Sequence, residues 1–277
     1  MCIRDRPWAQ VRARVLGAAP GAQTVAGTFP AIQEALAILD DGHSSFTYTD
    51  GRRVALAGRT CTGPVASDPV GLPVNVGYLR VRAFAGADAA ATVHAAAIQD
   101  AIRAADREGL AGWIVDLRGN AGGNLWPMLA GLGPILGDGV LGHFVDPDGG
   151  EVPWVYRDGA ISLGEVVQER VATPYRLRRP MPRVAVLTDA RVASSAEGLA
   201  IAFRGRPGTR TFGVATCGLS TVNQPFSMND GSTLSLAVAI MADRARRAFG
   251  DRVPPDEIVE GADEVVARAV SWLQRGE

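Results

Sequence analysis

Two adjacent serines, Ser194 and Ser195, stand in the part of the sequence best suited to covalent chemistry. They follow the apolar run Val184–Leu187, and the small residues after them predict a helix over Ser194–Phe203. A serine in the first turn of a helix lies near the positive end of the helix dipole, which favours a developing alkoxide or oxyanion. The same position suits a serine that only caps the helix, so the pair alone leaves both roles open.

A nucleophilic serine needs a base, because its hydroxyl is a weak nucleophile at neutral pH. The chain contains 28 arginines, three histidines and no lysine. His43 lies between Gly42 and Ser44, where a predicted helix gives way to an extended segment and hydroxyl groups can hold the ring. His94 falls within an alanine-rich helix and His143 within a turn-rich stretch, so we interpret both as structural or solvent-facing.

A glycine-rich turn follows the apolar strand Trp113–Arg118 and ends in Gly122 and Gly123. Glycine lets backbone N–H groups turn toward a ligand without interference from a Cβ atom. Such groups can form an oxyanion hole, in which the loss of one donor typically lowers the rate by about 10²–10³. An ordinary strand-to-helix turn has the same composition, so this turn indicates an oxyanion hole only in combination with the serine and histidine segments.

Composition excludes several classes of function. The chain of 277 residues is 47% apolar and 21% charged, as in globular proteins, and its net charge of −1 gives no reason to expect nucleic acid or an anionic membrane as a partner. No apolar stretch approaches the roughly 20 residues of a transmembrane segment. The histidines and cysteines show no metal-ligand spacing, so we expect no metal and no cofactor. Cys61 and Cys217 could pair in an oxidising compartment, but two isolated buried thiols are the expectation.

Hydrophobic periodicity predicts an α/β protein. We predict an N-terminal helical subdomain over residues 7–46, a linker loop over 47–75 and an α/β core over 76–277, within which residues 138–182 form a β-rich excursion or flap. Residues 1–6 look like the translated remnant of a sequencing adapter, so any signal peptide would be missing. Strands that alternate with helices favour βαβ crossovers. The predicted core strands are Val76–Val81, Trp113–Arg118, Val184–Leu187, Thr211–Ala215 and Ser232–Met241; the predicted helices are Asp88–Arg107, one from about Asn124, Ser194–Phe203 and Ala262–Leu273.

In combination, these segments resemble the C-terminal processing, or tail-specific, serine protease family. The similarity extends over most of the chain. It is specific because the sequence motifs occur together in this order, whereas no single motif is specific by itself. The motifs are a D-G-H-S-like turn within Leu39–Phe46, a G-Y-I-R-like strand at Gly77–Arg80, D-L-R-G-N-x-G-G at Asp116–Gly123, an S-A-S-E-like element at Ser194–Glu197 and a D-R-x-x-x-x-x-G…P-D-x-x-V ending at Asp243–Val259.

The chain departs from the family pattern in two places. Members with a Ser-Lys dyad carry a T-F-G-K-G-like stretch, and Leu219 stands at the position of that lysine. The chain therefore resembles the histidine-using branch, which is similar to the tricorn core protease and the retinoid-binding protein repeats. In addition, only about 30 residues separate His43 from the strand at Gly77, fewer than the ~50 of an independent domain, so we expect no PDZ domain.

The resemblance implies a ClpP/crotonase-like ββα core and a serine peptidase that cleaves extended or unfolded polypeptides. Ser194 would be the nucleophile and His43 the general base. The N–H of Ser195 and that of Gly122 or Gly123 would stabilise the oxyanion. The family setting also suggests a bacterial periplasmic or secreted protein, and the oligomeric state stays open.

A third catalytic residue is less clearly indicated. Asp243 is the first candidate for the acid that orients His43 and Glu197 the second, although both could be surface or capping carboxylates. Ser44 follows His43, whereas the helper serine of the tricorn-like branch precedes its histidine, so its role stays open.

Two other functions are compatible with the same sequence. The retinoid-binding relatives suggest a non-catalytic domain that binds an apolar ligand or acts as a scaffold. The crotonase-like core suggests acyl-CoA chemistry, which we disfavour because those enzymes typically place carboxylates at the reaction centre. The presence of both Ser194 and His43 favours the peptidase.

Overall fold

A computed structural model describes residues 7–55 and 60–275, so the suspected remnant at residues 1–6 lies outside the described residues. The chain is of the mixed α/β class. The helices are α1 (Trp8–Gly17), α2 (Phe29–Leu39), α3 (Asp88–Ala105), α4 (Leu125–Leu136), α5 (Ser195–Phe203) and α6 (Ala262–Arg275). The strands are β1 (Ser45–Thr47), β2 (Arg53–Ala55), β3 (Val76–Arg80), β4 (Gly112–Asp116), β5 (Gly139–Val145), β6 (Glu151–Arg157), β7 (Ala160–Leu163), β8 (Val166–Arg170), β9 (Val184–Thr188), β10 (Thr209–Gly213), β11 (Thr221–Ser227), β12 (Thr233–Ala242) and β13 (Glu257–Ile258).

The chain divides into two compact units, and each is assembled from separate stretches of sequence. Of the described residues, the first is drawn from 7–55, 60, 145–150 and 221–240, and the second from 61–144, 151–220 and 241–275. Among residues 7–55 and 60–275, no helix is both long enough and apolar enough to cross a membrane.

The first unit contains a small antiparallel sheet with an apolar cluster between β1 and α2. β1 pairs with β2 on one side and with β12 on the other, and β11 also pairs with β12. The apolar residues of α2 recur every three or four positions, which places them on one face of the helix. That face supplies Phe29, Ile32, Leu36 and Leu39, which form one apolar cluster with Phe46, Tyr48, Val54 and Leu234.

The second unit is built on a parallel sheet in the order β13-β10-β9-β4-β3. Every residue of β4 and of β9 is buried, as in a strand that is covered on both faces. Helix α6 packs against β4, β9 and β10, whereas α4 lies between α3 and α5. Within residues 138–182, β5 to β8 are hydrogen-bonded neighbours in that order, and the β6–β7 and β7–β8 pairs are antiparallel.

The predicted strands and helices are confirmed to within a few residues at their ends. The strand predicted at Ser232–Met241 is β12, which pairs with β1 and β11 in the antiparallel sheet and does not join the parallel sheet. The sequence does not predict β11, because its residues Thr221–Ser227 include Asn223 and Pro225, which disfavour a strand.

The expectation of two isolated thiols is wrong, because Cys61 and Cys217 form a disulfide. Their Cα atoms lie 5.2 Å apart although 156 positions separate them in the sequence. Only the fold brings them within the distance that a disulfide requires.

Candidate active site

Ser194 lies at the junction of β9 and α5, where the chain turns sharply. Its φ of 55° and ψ of −123° are unusual for a residue with a side chain, and strain of this kind clusters at functional sites. Ser195 is the first residue of α5, and its hydroxyl donates to the Gly123 carbonyl oxygen at 2.6 Å. The two serines therefore differ: Ser195 fastens the helix to the glycine turn, whereas Ser194 occupies the strained position.

The glycine turn packs directly against this junction. A Cβ atom on Gly122 would lie 2.7 Å from the Ala193 carbonyl oxygen and 3.0 Å from the Ser194 Cβ. A Cβ atom on Gly123 would lie 2.1 Å from the Phe84 carbonyl oxygen. Both glycines also have φ values, 96° and 118°, that residues with side chains rarely adopt. Both positions therefore require glycine.

Two backbone N–H groups at the junction are free to bind a ligand. The Gly122 N–H is not one of them, because it donates to Asn120 Oδ1 at 2.9 Å. The N–H groups of Gly123 and Ser195 donate to no acceptor within residues 7–55 and 60–275. The peptide that carries the Gly123 N–H is held in place, since its carbonyl oxygen accepts from the Phe84 N–H at 3.2 Å. These two donors have the chemistry of an oxyanion hole.

Glu197 is fully buried and holds the backbone around Ser194. Its carboxylate accepts from the N–H of Ser194 at 3.0 Å, from those of Gly218 at 2.9 Å and Leu219 at 2.6 Å, and from the Thr216 hydroxyl. Burial raises the pKa of Glu197, while the hydrogen bonds favour the charged form and oppose that shift. The carboxylate thus joins the Ser194 backbone to residues 216–219.

In the first unit, His43 lies in the turn that follows α2. The Asp41 carboxylate accepts from the N–H of His43 at 2.9 Å and from that of Ser44 at 2.6 Å, which fixes the turn. Ser44 is buried, and its hydroxyl donates to Asp41 and accepts from the Ala237 N–H at 3.0 Å. Ser44 therefore attaches the histidine turn to β12.

The ring of His43 contacts Thr221, a residue that the sequence analysis did not identify. Nδ1 lies 2.6 Å from Thr221 Oγ1, and the His43 carbonyl oxygen accepts from Asn223 Nδ2 at 3.0 Å. Burial lowers the pKa of His43 from 6.5 to about 4; to smaller extents, Asp41 raises this pKa and Arg53 lowers it. The imidazole is therefore neutral at pH 7, as a general base must be.

The carboxylate contacts of Asp243 are local. Its carboxylate accepts from the N–H groups of Ala245 at 2.8 Å and Arg247 at 3.0 Å, which closes the turn after β12.

The other two histidines contact structural groups. Nδ1 of the buried His143 lies 3.1 Å from the Asp243 carbonyl oxygen. His94 stacks on a phenylalanine ring. These contacts agree with structural roles for the two histidines.

The second unit brings together Ser194, Ser195, Gly122, Gly123 and Glu197, and the first unit brings His43 to Thr221. Thr221 lies 178 positions from His43, and nothing in its local sequence distinguishes it from any strand threonine. Within the described ranges, no three His, Cys, Asp or Glu side chains are arranged to hold a metal ion.

Comparison with known proteins points to one family. The sequence profile described as "Peptidase family S41" matches residues 75–259, which is more than half of the chain. The chain is 27% identical to the Nisin-resistance protein of Lactococcus lactis subsp. lactis over 271 residues, which cover 98% of this chain and 81% of that protein. It is also 27% identical to the carboxy-terminal processing protease CtpA of Bacillus subtilis (strain 168) over 165 residues, or 60% of this chain and 30% of that protein.

The fold is similar to that of a lipoprotein from Streptococcus agalactiae. The TM-score is 0.75 at 23% sequence identity, and the similarity covers 98% of this chain and 89% of that one. At this identity the likeness concerns the fold alone.

Proposed function

The chain belongs to peptidase family S41, and from this premise we propose that it is a serine peptidase that cleaves extended or unfolded polypeptides. Ser194 is the nucleophile: its Oγ attacks the peptide carbonyl while His43 takes its proton and later returns it to the leaving amine. The observation that carries the proposal is the strained backbone of Ser194, which is followed by the free N–H of Ser195 and packs against the glycine turn with the free N–H of Gly123. Such a junction suits a reactive serine better than a simple helix cap.

The oxyanion hole in this proposal consists of the N–H groups of Gly123 and Ser195. Gly122 does not donate, because its N–H is bonded to Asn120, but its missing side chain leaves the space in which Ser194 lies. A tetrahedral intermediate would place its negative oxygen on these two donors, where the charge develops.

His43 is the base in this proposal, because the chain has no lysine and burial keeps the imidazole neutral. Asp243, Glu197 and Ser44 take supporting roles, since the contacts of each hold backbone segments. We do not assign the orientation of the His43 ring to any of the three.

We also propose a ClpP/crotonase-like ββα arrangement for the α/β core, and an extracytoplasmic location. The disulfide supports the location, because such bonds persist in oxidising compartments such as the periplasm or the cell exterior. CtpA is named for carboxy-terminal processing and the Lactococcus relative for nisin resistance. Unfolded polypeptides with free C-termini, and nisin itself, are therefore the first substrates to test.

Labelling with a fluorophosphonate probe tests the proposal. We expect the wild-type protein to be labelled, Ser194→Ala to be unlabelled and His43→Ala to be labelled far more slowly, because the serine would lack its base. Ser227→Ala, which changes an exposed serine of β11, is the matched control and should label like the wild type.

Loss of labelling in Ser194→Ala together with normal circular dichroism would support the assignment. A folded wild-type protein that the probe does not label would contradict it, and would favour the apolar-ligand-binding alternative.

A further inference from the structure

We propose that Thr221 is the positioning residue for His43: its hydroxyl oxygen accepts a hydrogen bond from Nδ1–H and thereby leaves the lone pair on Nε2. The proposal rests on the proposed function in one respect, namely that His43 acts as the base. It assigns to a neutral hydroxyl the orienting task that a carboxylate performs in a Ser-His-Asp triad.

The geometry of the first unit carries this inference. Thr221 Oγ1 lies 2.6 Å from Nδ1, a short distance for a hydrogen bond to nitrogen. Two residues further along β11, Asn223 donates to the His43 carbonyl oxygen at 3.0 Å, and Asp41 accepts from the His43 N–H at 2.9 Å. The backbone and the ring of the histidine are therefore both held, and β11 supplies two of the three contacts.

The ring has no carboxylate bonded to it among residues 7–55 and 60–275. The charged groups that act on it are Asp41, which favours the imidazolium, and Arg53, which disfavours it. A hydroxyl orients the imidazole without stabilising its positive charge as a carboxylate would. The low pKa of His43, about 4, agrees with such a neutral partner.

The tautomer decides whether the ring can serve as a base. With the proton on Nδ1, the Nε2 lone pair can take the Ser194 proton, and that same proton later passes to the leaving amine. With the proton on Nε2, the atom that should accept a proton already carries one. The hydrogen bonds of the two ring nitrogens decide which of them carries the proton. For Nδ1 of His43, that hydrogen bond is the one to Thr221.

Nitrogen-15 NMR of histidine-labelled whole protein reads the tautomer directly, with His43→Ala to assign the signal. We expect Nδ1–H for His43 in the wild type, a shift toward Nε2–H in Thr221→Val, and restoration in Thr221→Ser. Thr233→Val, which removes a hydroxyl from β12 of the same unit, should leave the tautomer unchanged.

The rate of fluorophosphonate labelling supplies the functional readout. It should fall about tenfold in Thr221→Val, as for the loss of one net hydrogen bond of the stronger kind, and recover in Thr221→Ser. Thr221→Asp should move the acidic limb of the labelling rate to higher pH, because a carboxylate beside Nδ1 raises the pKa of His43.

The outcomes separate this proposal from the proposed function. An unlabelled wild type whose His43 tautomer still depends on Thr221 would overturn the peptidase and keep the positioning contact. A Thr221→Val protein with the wild-type tautomer and the wild-type labelling rate would overturn the role of Thr221.

Discussion

At the scale of single residues, the conformation of Ser194 is imposed by its neighbours. A backbone of this kind on a residue with a side chain costs of order 1–3 kcal/mol and persists only where the surroundings hold it. Glu197 holds the Ser194 N–H, and Gly122 leaves open the space that a Cβ atom would fill. The conformation of Ser194 therefore depends on the buried Glu197 carboxylate and on the absence of a side chain at Gly122.

The pH dependence of Ser194 labelling should report the protonation of His43, the proposed base. Because burial lowers the pKa of His43 to about 4, the neutral imidazole persists well below the ordinary value of 6.5. We expect the rate of fluorophosphonate labelling to stay constant from pH 7 to pH 5.5 and to fall only as the pH approaches 4. An acidic limb centred near pH 6.5 would contradict the effect of burial on this histidine.

Gly122→Ala should abolish labelling of Ser194. The new Cβ atom would meet the Ala193 carbonyl oxygen at 2.7 Å, so the serine segment would have to move away from the Gly123 N–H, a proposed oxyanion donor. Gly109→Ala is the matched control, because Gly109 also has a positive φ, 77°, but has no atom within 4 Å of the added carbon. Labelling of Gly122→Ala at the rate of the control would show that the turn tolerates a side chain.

At the scale of elements, a buried ion pair braces the end of β4 from which the glycine turn departs. Arg118 donates to the Asp116 carboxylate through Nε at 2.9 Å and Nη2 at 2.7 Å, and through Nη1 to the Ala262 carbonyl oxygen of α6. Tyr78 of β3 donates to the same carboxylate at 2.9 Å. The D-L-R sequence therefore joins β3, β4 and α6 beneath the candidate site.

Removing one partner of this pair should be strongly destabilising. Asp116→Asn leaves the buried Arg118 charge uncompensated, and we expect the free energy of unfolding in urea to fall by about 3–5 kcal/mol. Asp116→Asn combined with Arg118→Met should fall by less than the sum of the two single changes. Asp50→Asn, which breaks an exposed pair with Arg52, should have little effect. Equal effects of Asp116→Asn and Asp50→Asn would show that the buried pair does not brace the sheet.

At the scale of the whole molecule, the disulfide constrains a long stretch of the chain. It joins positions 156 apart, and Cys217 stands between Thr216 and Gly218, which both donate to Glu197. The covalent bond therefore anchors the same loop that is hydrogen-bonded to Glu197 and, through it, to the Ser194 backbone.

Loss of the disulfide should lower global stability. Closing a loop of this length stabilises the folded state by up to about 5 kcal/mol, mainly through the entropy of the unfolded chain. We expect a lower Tm after reduction with a dithiol, and a similarly low Tm in Cys61→Ser/Cys217→Ser, measured in a Cys2→Ser background to prevent thiol exchange. A double variant that keeps the wild-type Tm, or a wild-type protein whose Tm stays the same after treatment with the dithiol, would contradict this role.

Several features of the fold and the site could be predicted from local sequence. The buried strands β4 and β9 are continuous apolar runs, the glycine turn begins within three residues of the end of β4, and the Ser-Ser pair lies between β9 and the next helix. Strand β11 could not be predicted, because Pro225 and the polar residues beside it have low strand propensity, and pairing with β12 overrides that propensity.

The sequence by itself determined the chemical inventory: a serine pair at a helix start, glycines after a buried strand, and histidine as the sole alternative to an absent lysine. These follow from residue type and from periods of 2.0 and 3.6, which act over a few neighbouring positions. Tertiary structure alone decided that Ser195 is tied to Gly123, that Cys61 pairs with Cys217 and that Thr221 faces His43. These contacts join residues 72, 156 and 178 positions apart, and pairings at such distances arise only when the strands and helices pack.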